Sequence, residues 1–242
     1  MTETNTSQIR FLSSGDSAVT IEFAKEMSEE TNRKIRFLAE TIKGEKIKGI
    51  CESVPTFCSL TIYFDPFILS RKKLENKILK IINSYEETSA REGRIFLIPV
   101  CYGGEYAPDM DDVCTLTGLS REQVIDIHTS HDYLIYMLGF LPGFPYLGGM
   151  DERIEVPRLA SPRTAIPAGA VGIGGKQTGI YPLSSPGGWR LIGRTPVKIY
   201  DPDRDPPIVY RAGDSIRFYP ITKEEFEAIA ANHSSKIERS EE

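Results

Sequence analysis

Apolar residues recur at helical spacing twice in the first ninety residues. Ile35, Leu38, Ala39 and Ile42 fall on one stripe. Ser28 stands ahead of them as a cap, Glu29 and Glu30 suit the first turn, and Gly44 is expected to end the helix. Ser70 is expected to cap a second stripe of Leu74, Ile78, Ile81, Ile82 and Tyr85. Around these lie β-prone runs. "RFLSSGDSAVTIEF" predicts extended segments about the turn Ser14-Gly15-Asp16. "KGICESV" and "FCSLTIYF" predict two strands joined near Pro55, and "RIFLIPV" a further one. The order β-α-β-β-α-β is that of a split βαβ, ferredoxin-like unit. The polar stretch "EETSAREG" (86–93) is expected as a linker, giving a first α+β domain over residues 1–90 and a second over 91–242.

The second part has a different texture. Between Gly139 and Tyr200 lie 12 of the 20 glycines and 8 of the 16 prolines. Short β-prone pieces alternate with turns: "YLIYMLG", "AVGIGG", "GIYPL", "WRLIG", "VKIY", "PPIVY", "SIRFYPI". That punctuation predicts a mostly-β barrel or sandwich. Two helices are expected beside it. Ser120 and Gln123 have capping-box spacing, as do Thr222 and Glu225. The tail after Asn232 is polar and expected to fray. "FLPGFPYLGG" (140–149) combines Phe140, Phe144, Tyr146 and Leu147 with two prolines and three glycines. A helix is impossible there and a regular strand is not expected, so the segment is expected to wall a binding pocket.

Composition narrows the class. The 242 residues are 40% hydrophobic and 26% charged, as in a soluble globular protein. A net charge of −5 gives no general attraction to nucleic acid or an anionic membrane. The polar start "MTETNTSQIR" and the lack of any run near about 18 apolar residues point to the cytoplasm. Cys51, Cys58, Cys101 and Cys114 form no C-x-x-C pair and are expected as buried free thiols. His128 and His131 are three apart near a helix end, but no third ligand is evident, so no metal is expected.

Val156 to Tyr200 holds no Asp or Glu in 45 residues, where the chain's average would place about six. The window carries Arg158, Arg163, Lys176, Arg190, Arg194 and Lys198. Unpaired cations beside glycine-rich loops suit a bound carboxylate or phosphate. The alternative is a basic face paired with acids elsewhere, such as Asp109, Asp111 or Asp151. "GIGGKQTG" lacks the spacing of a P-loop and sits in a β context, so an autonomous P-loop ATPase is not expected. Gln177 and Thr178 can hydrogen-bond a small amide or acid, and Tyr181 and Trp189 can flank it. The alternative makes these residues barrel corners, with Trp189 a core anchor. His128 is a candidate proton carrier at a pocket edge. No G-x-S-x-G or assignable Ser–His–Asp set occurs, so the chain has the look of a half-site rather than a complete catalyst.

"GFLPGFPYLGGMD" followed by "RLASPRTAIPAGAVGIGGKQTGIYPLSSPGGWRLIGRTP" resembles the KipI family, described also as the B subunit of 5-oxoprolinase or as allophanate hydrolase subunit 1. "RFLSSGDSAVTIEF" and "IPVCYGGEYAPDMDDVC" fit it too, so the resemblance spans roughly residues 9 to 225. It implies a ferredoxin-like N-terminal domain and a cyclophilin-like β-barrel. It implies the A subunit and the KipA-type C subunit of 5-oxoprolinase as partners, which together with this chain open 5-oxoproline to glutamate with ATP. It also implies two alternatives: inhibition of a sporulation sensor histidine kinase's autophosphorylation, and an allophanate hydrolase or urea carboxylase role. From the acid-free window and the polar-glycine stretch, a small anionic substrate is expected to be held by Gln177, Thr178, Lys176, Arg190, Arg194, Tyr181 and Phe144, with His128 assisting proton transfer.

Overall fold

In the computed structural model, which describes residues 9–86, 93–232 and 238–239, the chain divides into two units after Glu92. The first contains β1 (Arg10–Ser13), β2 (Ala18–Glu22), α1 (Glu29–Glu45), β3 (Ile50–Pro55), β4 (Ser59–Phe64) and α2 (Arg71–Asn83). Its antiparallel sheet has the order β1-β2-β4-β3. Helix α1 joins β2 to β3 while β4 lies between them, which is a split βαβ arrangement. Val19, Ile21, Leu60 and Ile62 pack on Ile35, Leu38, Leu74 and Ile78 of the two helices. Ser28 caps α1 by accepting from the Thr31 N–H. Ser70 occupies the N-cap position of α2 without a side-chain cap bond. The helix continues through Gly44 to Glu45 and ends on Lys46 in the left-handed region (φ 46°). The burial of Ile42 and Ile47 on either side outweighs the modest cost of one glycine.

The strand at 95–100, counted last in the β-α-β-β-α-β order, lies past the 90/91 boundary in the second unit. Its place beside β2 is held by β1, which arrives by a short turn at Gly15 (φ 72°). A local hairpin closes at less entropic cost than a return from the far side of a helix. The expected linker at 86–93 falls largely outside the described residues.

The second unit contains β5 (Ile95–Val100), α3 (Met110–Thr117), α4 (Arg121–Thr129), β6 (Asp132–Leu138), β7 (Pro145–Gly148), β8 (Arg163–Ile166), β9 (Ala170–Gly174), β10 (Gln177–Ile180), β11 (Ser185–Gly187), β12 (Arg190–Arg194), β13 (Ser215–Pro220), α5 (Lys223–Ala231) and β14 (Glu238–Arg239). Eight strands run in the order β12-β9-β10-β7-β6-β13-β5-β14, and β8 pairs with β11 separately. Cys101, directly after β5, exchanges backbone hydrogen bonds of 2.9 and 3.0 Å with Arg194 at the end of β12. The sheet thus curls into a nearly closed barrel around Phe96, Ile98, Tyr133, Ile135, Leu147, Ile173, Ile192 and Phe218. Near-continuous burial of β5 fits a strand with a parallel neighbour, β13. Beside it Asp214, wholly buried, accepts from the Arg94 backbone and guanidinium (2.6 Å to Nη2) and from Arg211 N.

Several expectations are corrected here. Residues 145–148 do form a strand, paired with both β6 and β10. Pro145 stands at its first position, where the missing donor is tolerated. "VKIY" and "PPIVY" form only one bridge, Tyr200 to Ile208. The Arg204 side chain instead satisfies the carbonyls of Lys198, Ile199, Pro206 and Pro207. Helix α3 is an additional element, short and acidic at its start, with Gly118 left-handed after it. Both expected capping boxes, on α4 and α5, form. All four cysteines are free, but only Cys101 is buried, and Cys51 is exposed. Of the tail after Asn232, Glu238–Arg239 pairs with β5. No helix among the described residues is long and apolar enough to cross a membrane.

Candidate functional site

The alternation of β10 sends its residues to opposite faces of the barrel wall. Thr178 points inward. Its hydroxyl donates to the Gly172 carbonyl (3.1 Å), so its oxygen accepts from Nε2–H of His128 (2.9 Å). The other ring nitrogen, Nδ1, then accepts from the Tyr102 hydroxyl (2.8 Å). The ring stacks on Phe218 at 4.7 Å and has no exposure. Burial lowers the His128 pKa to about 3, so the imidazole is neutral near pH 7. His128 and Thr178 are therefore core residues in this structure, not groups at a pocket edge.

Gln177 lies on the opposite face, directly across from Gly174 of β9. A Cβ on Gly174 would stand 2.5 Å from Trp189 Nε1, and one on Gly179 would stand 3.0 Å from Trp189 Cζ3. The glycines are where they are because the indole lies flat on those strands. Trp189 is 5% exposed and belongs to a small second core with Phe144, Ile166, Tyr181 and Leu191. Phe144 meets Trp189 edge-on at 5.5 Å and Tyr181 at 5.1 Å. The bent aromatic segment thus supports the indole from below, with Phe140 left exposed in a left-handed conformation (φ 67°). The Gln177 Nε2 atom is buried and has no hydrogen-bond partner.

A strap, residues 156–159, crosses this face. The Gly175 N–H donates to the Val156 carbonyl (2.9 Å), Arg190 Nε to the Pro157 carbonyl (3.1 Å), and the Leu159 N–H to the Gly188 carbonyl (2.7 Å). Arg158 is thereby held between the turn that carries Lys176 and the segment that carries Trp189. Its guanidinium sits 5.6 Å from the Trp189 ring centroid. Burial raises the hydroxyl pKa of Tyr146, and the Arg158 cation partly offsets this. Tyr181 is raised by burial too, against a backbone N–H from Trp189 and the Arg158 and Arg163 cations. Two tyrosines and the indole therefore share one cation.

The acid-free window splits in two. Arg163 is paired with buried Asp109, whose other oxygen accepts from Leu191 N. Arg190 is paired with Asp112 (2.7 Å) and Lys198 with Asp201 (3.4 Å). Arg194 donates to the Ala168 carbonyl (2.9 Å) and lies 6.0 Å from the Phe226 ring centroid, away from the indole. Among the described residues no carboxylate pairs with Arg158, Lys176 or Arg194. Of the expected binding residues, Tyr181 and Phe144 pack against Trp189, Gln177 stands on the same face of the hairpin, and Lys176 is exposed in the adjoining turn. Arg190 and Arg194 are engaged with Asp112 and the Ala168 carbonyl, and Thr178 and His128 lie in the barrel core. Arg158 and Tyr146 complete the cluster. The signal for Arg158 was the strap's own sequence, cation after proline, which spacing alone does not distinguish from a loop. A cleft of about 370 Å³ lies elsewhere in the unit, between Tyr102, Gly104, Tyr106, Arg121 and Lys223. Among the described residues no three His, Cys, Asp or Glu side chains gather to hold a metal.

The family described as carboxyltransferase domain, subdomain C and D, matches residues 9–210. The chain belongs to that family. Within it, the B subunit of 5-oxoprolinase from Bacillus subtilis is 44% identical over 88% of this chain and 93% of its own length. The crystal structure of TTHA0988 is 40% identical with a TM-score of 0.76 over 84% of this chain. This carboxyltransferase-family chain spans only 40% of the TTHA0988 chain. The Kluyveromyces lactis urea carboxylase shares the fold, at a TM-score of 0.75 over 96% of this chain and 24% of its own, with 23% identity.

Proposed function

We propose that this chain is the B subunit of an ATP-dependent 5-oxoprolinase, which opens the lactam of 5-oxoproline to L-glutamate only together with an A subunit and a KipA-type C subunit. The observation that carries this is the near full-length likeness to the Bacillus subtilis protein of that name. We read the first unit as a ferredoxin-like variant, the second as cyclophilin-like, and the protein as cytoplasmic. The longer TTHA0988 chain supports the need for further polypeptide, since a counterpart of this chain makes up less than half of it.

The chemistry fits a half-site. An unstrained lactam resists hydrolysis near neutral pH unless the step is coupled to ATP. Donors and cations must stand where negative charge develops on the amide oxygen. Gln177 Nε2 is an amide donor with no partner inside the chain. Lys176 is an exposed cation beside it, Tyr181 closes the aromatic side, and Phe144 backs the indole from beneath. Among the described residues no activated side-chain nucleophile paired with a base stands beside them, which fits a site that a partner completes. ATP is used by the complex. Gly172–Gly179 forms a β-hairpin rather than the mouth of a helix, so that motif does not fit a triphosphate. His128 and Thr178 hold the barrel together behind the site.

Mixing the purified chain with its candidate A and C subunits is expected to release glutamate from 5-oxoproline with ATP and not without it. An inactive three-component mixture, or one that turns over only a urea-derived substrate, overturns the reading.

A further inference from the structure

We propose that Arg158 is the residue of this chain that receives the substrate's carboxylate, with Arg190 as the positioning residue that aims it. The inference rests on the 5-oxoprolinase reading and assigns the anion-binding role within that same site.

A carboxylate needs a cation whose donors are not already committed. Arg163 and Arg190 fail, because Asp109 and Asp112 hold them. Arg194 lies on Phe226 and donates to the Ala168 carbonyl. Arg158 has no carboxylate partner among the described residues, and it faces the Trp189 ring. An arginine over an aromatic face keeps the edge of its fork free, and that edge matches a carboxylate with two parallel N–H groups.

The placement is built, not incidental. The residue before Arg158 is tied by its carbonyl to Arg190 Nε, and the residue after it by its N–H to Gly188. Arg190 is itself braced by Asp112. The linkage Asp112–Arg190–Pro157 therefore fixes the backbone from which Arg158 projects. On the far side the Gly175 N–H holds Val156, which brings the strap against the Lys176–Gln177 turn. Gln177, whose Nε2 has no hydrogen-bond partner, stands opposite Gly174 on the Trp189 face of the same hairpin. An amide donor and a free fork on one aromatic platform suit a small planar ring bearing both an amide oxygen and a carboxylate.

The test uses the complete complex of this chain with its A and C subunits. Glutamate release is followed against 5-oxoproline concentration, and 2-pyrrolidinone, the same ring without the carboxylate, is added as inhibitor. Arg158→Ala is expected to raise the KM for 5-oxoproline roughly 10- to 100-fold, the range for losing one charge-assisted pair. Inhibition by 2-pyrrolidinone is expected to stay within about twofold. Arg158→Lys is expected to recover part of the loss. Arg190→Ala is expected to raise KM in the parent and to add nothing in the Arg158→Ala background. An active parent complex with an unmoved KM in Arg158→Ala overturns the assignment. So does an Arg158→Ala chain that no longer assembles with the C subunit, since Arg158 would then serve an acidic group of the partner. A parent complex that releases no glutamate with ATP overturns both this and the enzyme reading.

Discussion

His128 makes the barrel sensitive to acid, by an amount that follows from its surroundings. In the fold the ring is neutral, wholly buried, and bound at both nitrogens by Tyr102 and Thr178. Its pKa is lowered to about 3, whereas an unfolded histidine titrates near about 6.5. Below that value the unfolded chain takes up a proton that the native chain refuses. Stability from this group is therefore complete above about pH 6.5 and declines as pH falls toward 3. The loss is about 2 kcal/mol at pH 5 and about 4 kcal/mol near pH 3. Trp189 is the only tryptophan and lies in the second unit, so its fluorescence reports that unit's unfolding. Urea titrations at pH 7.5 and 5.0 are to be compared for the parent and His128→Gln. The variant is expected to be less stable at pH 7.5 by about 1–3 kcal/mol through lost ring packing. Its further loss on acidification should be smaller than the parent's by about 2 kcal/mol. Parallel losses in the two proteins would refute the buried, neutral imidazole.

Two further outcomes test the packing. Gly174→Ala sets a methyl group 2.5 Å from Trp189 Nε1. It should destabilise the second unit by about 1–3 kcal/mol and shift the tryptophan emission, measured in the same titration. Arg163→Ala leaves Asp109, 4% exposed, with only the Leu191 N–H. Since Arg163 is itself partly exposed, the cost should be about 2–3 kcal/mol. In thermal unfolding Asp109→Asn with Arg163→Met should recover part of it.

Much of the fold was legible because local signals agreed with tertiary ones. Ser28, Ser120 and Thr222 cap helices as their spacing requires, and the apolar stripes of α1 and α2 are the buried ones. Strand 95–100 could be counted in the first unit's strand order although it lies past residue 90, because its sequence states that it is buried, not which sheet buries it. Helix α3 escaped because only Met110 and Val113 of its eight residues are buried, too few to show a period. At the site, missing acids correctly marked a basic region, but charge counting cannot see a partner far away in sequence. Arg190 and Asp112 are 78 positions apart and Arg163 and Asp109 54, so their neutralisation is a property of the folded chain. Adjacent Gln177 and Thr178 looked equivalent in the sequence, and the pleat alone sends one to the indole and the other to the core.

The ion pair between Arg94 and Asp214 joins positions 120 apart, and strand β13 lies alongside β5 over that same span. On a ribosome, the N-terminal sheet and its two helices emerge with every partner already made. The barrel's opening strand has no such fortune. It must wait, one long edge bare, until the chain has been translated past residue 220 and has cleared the exit tunnel. Any truncation upstream of β13 leaves that edge permanently open, a template for pairing with other nascent chains.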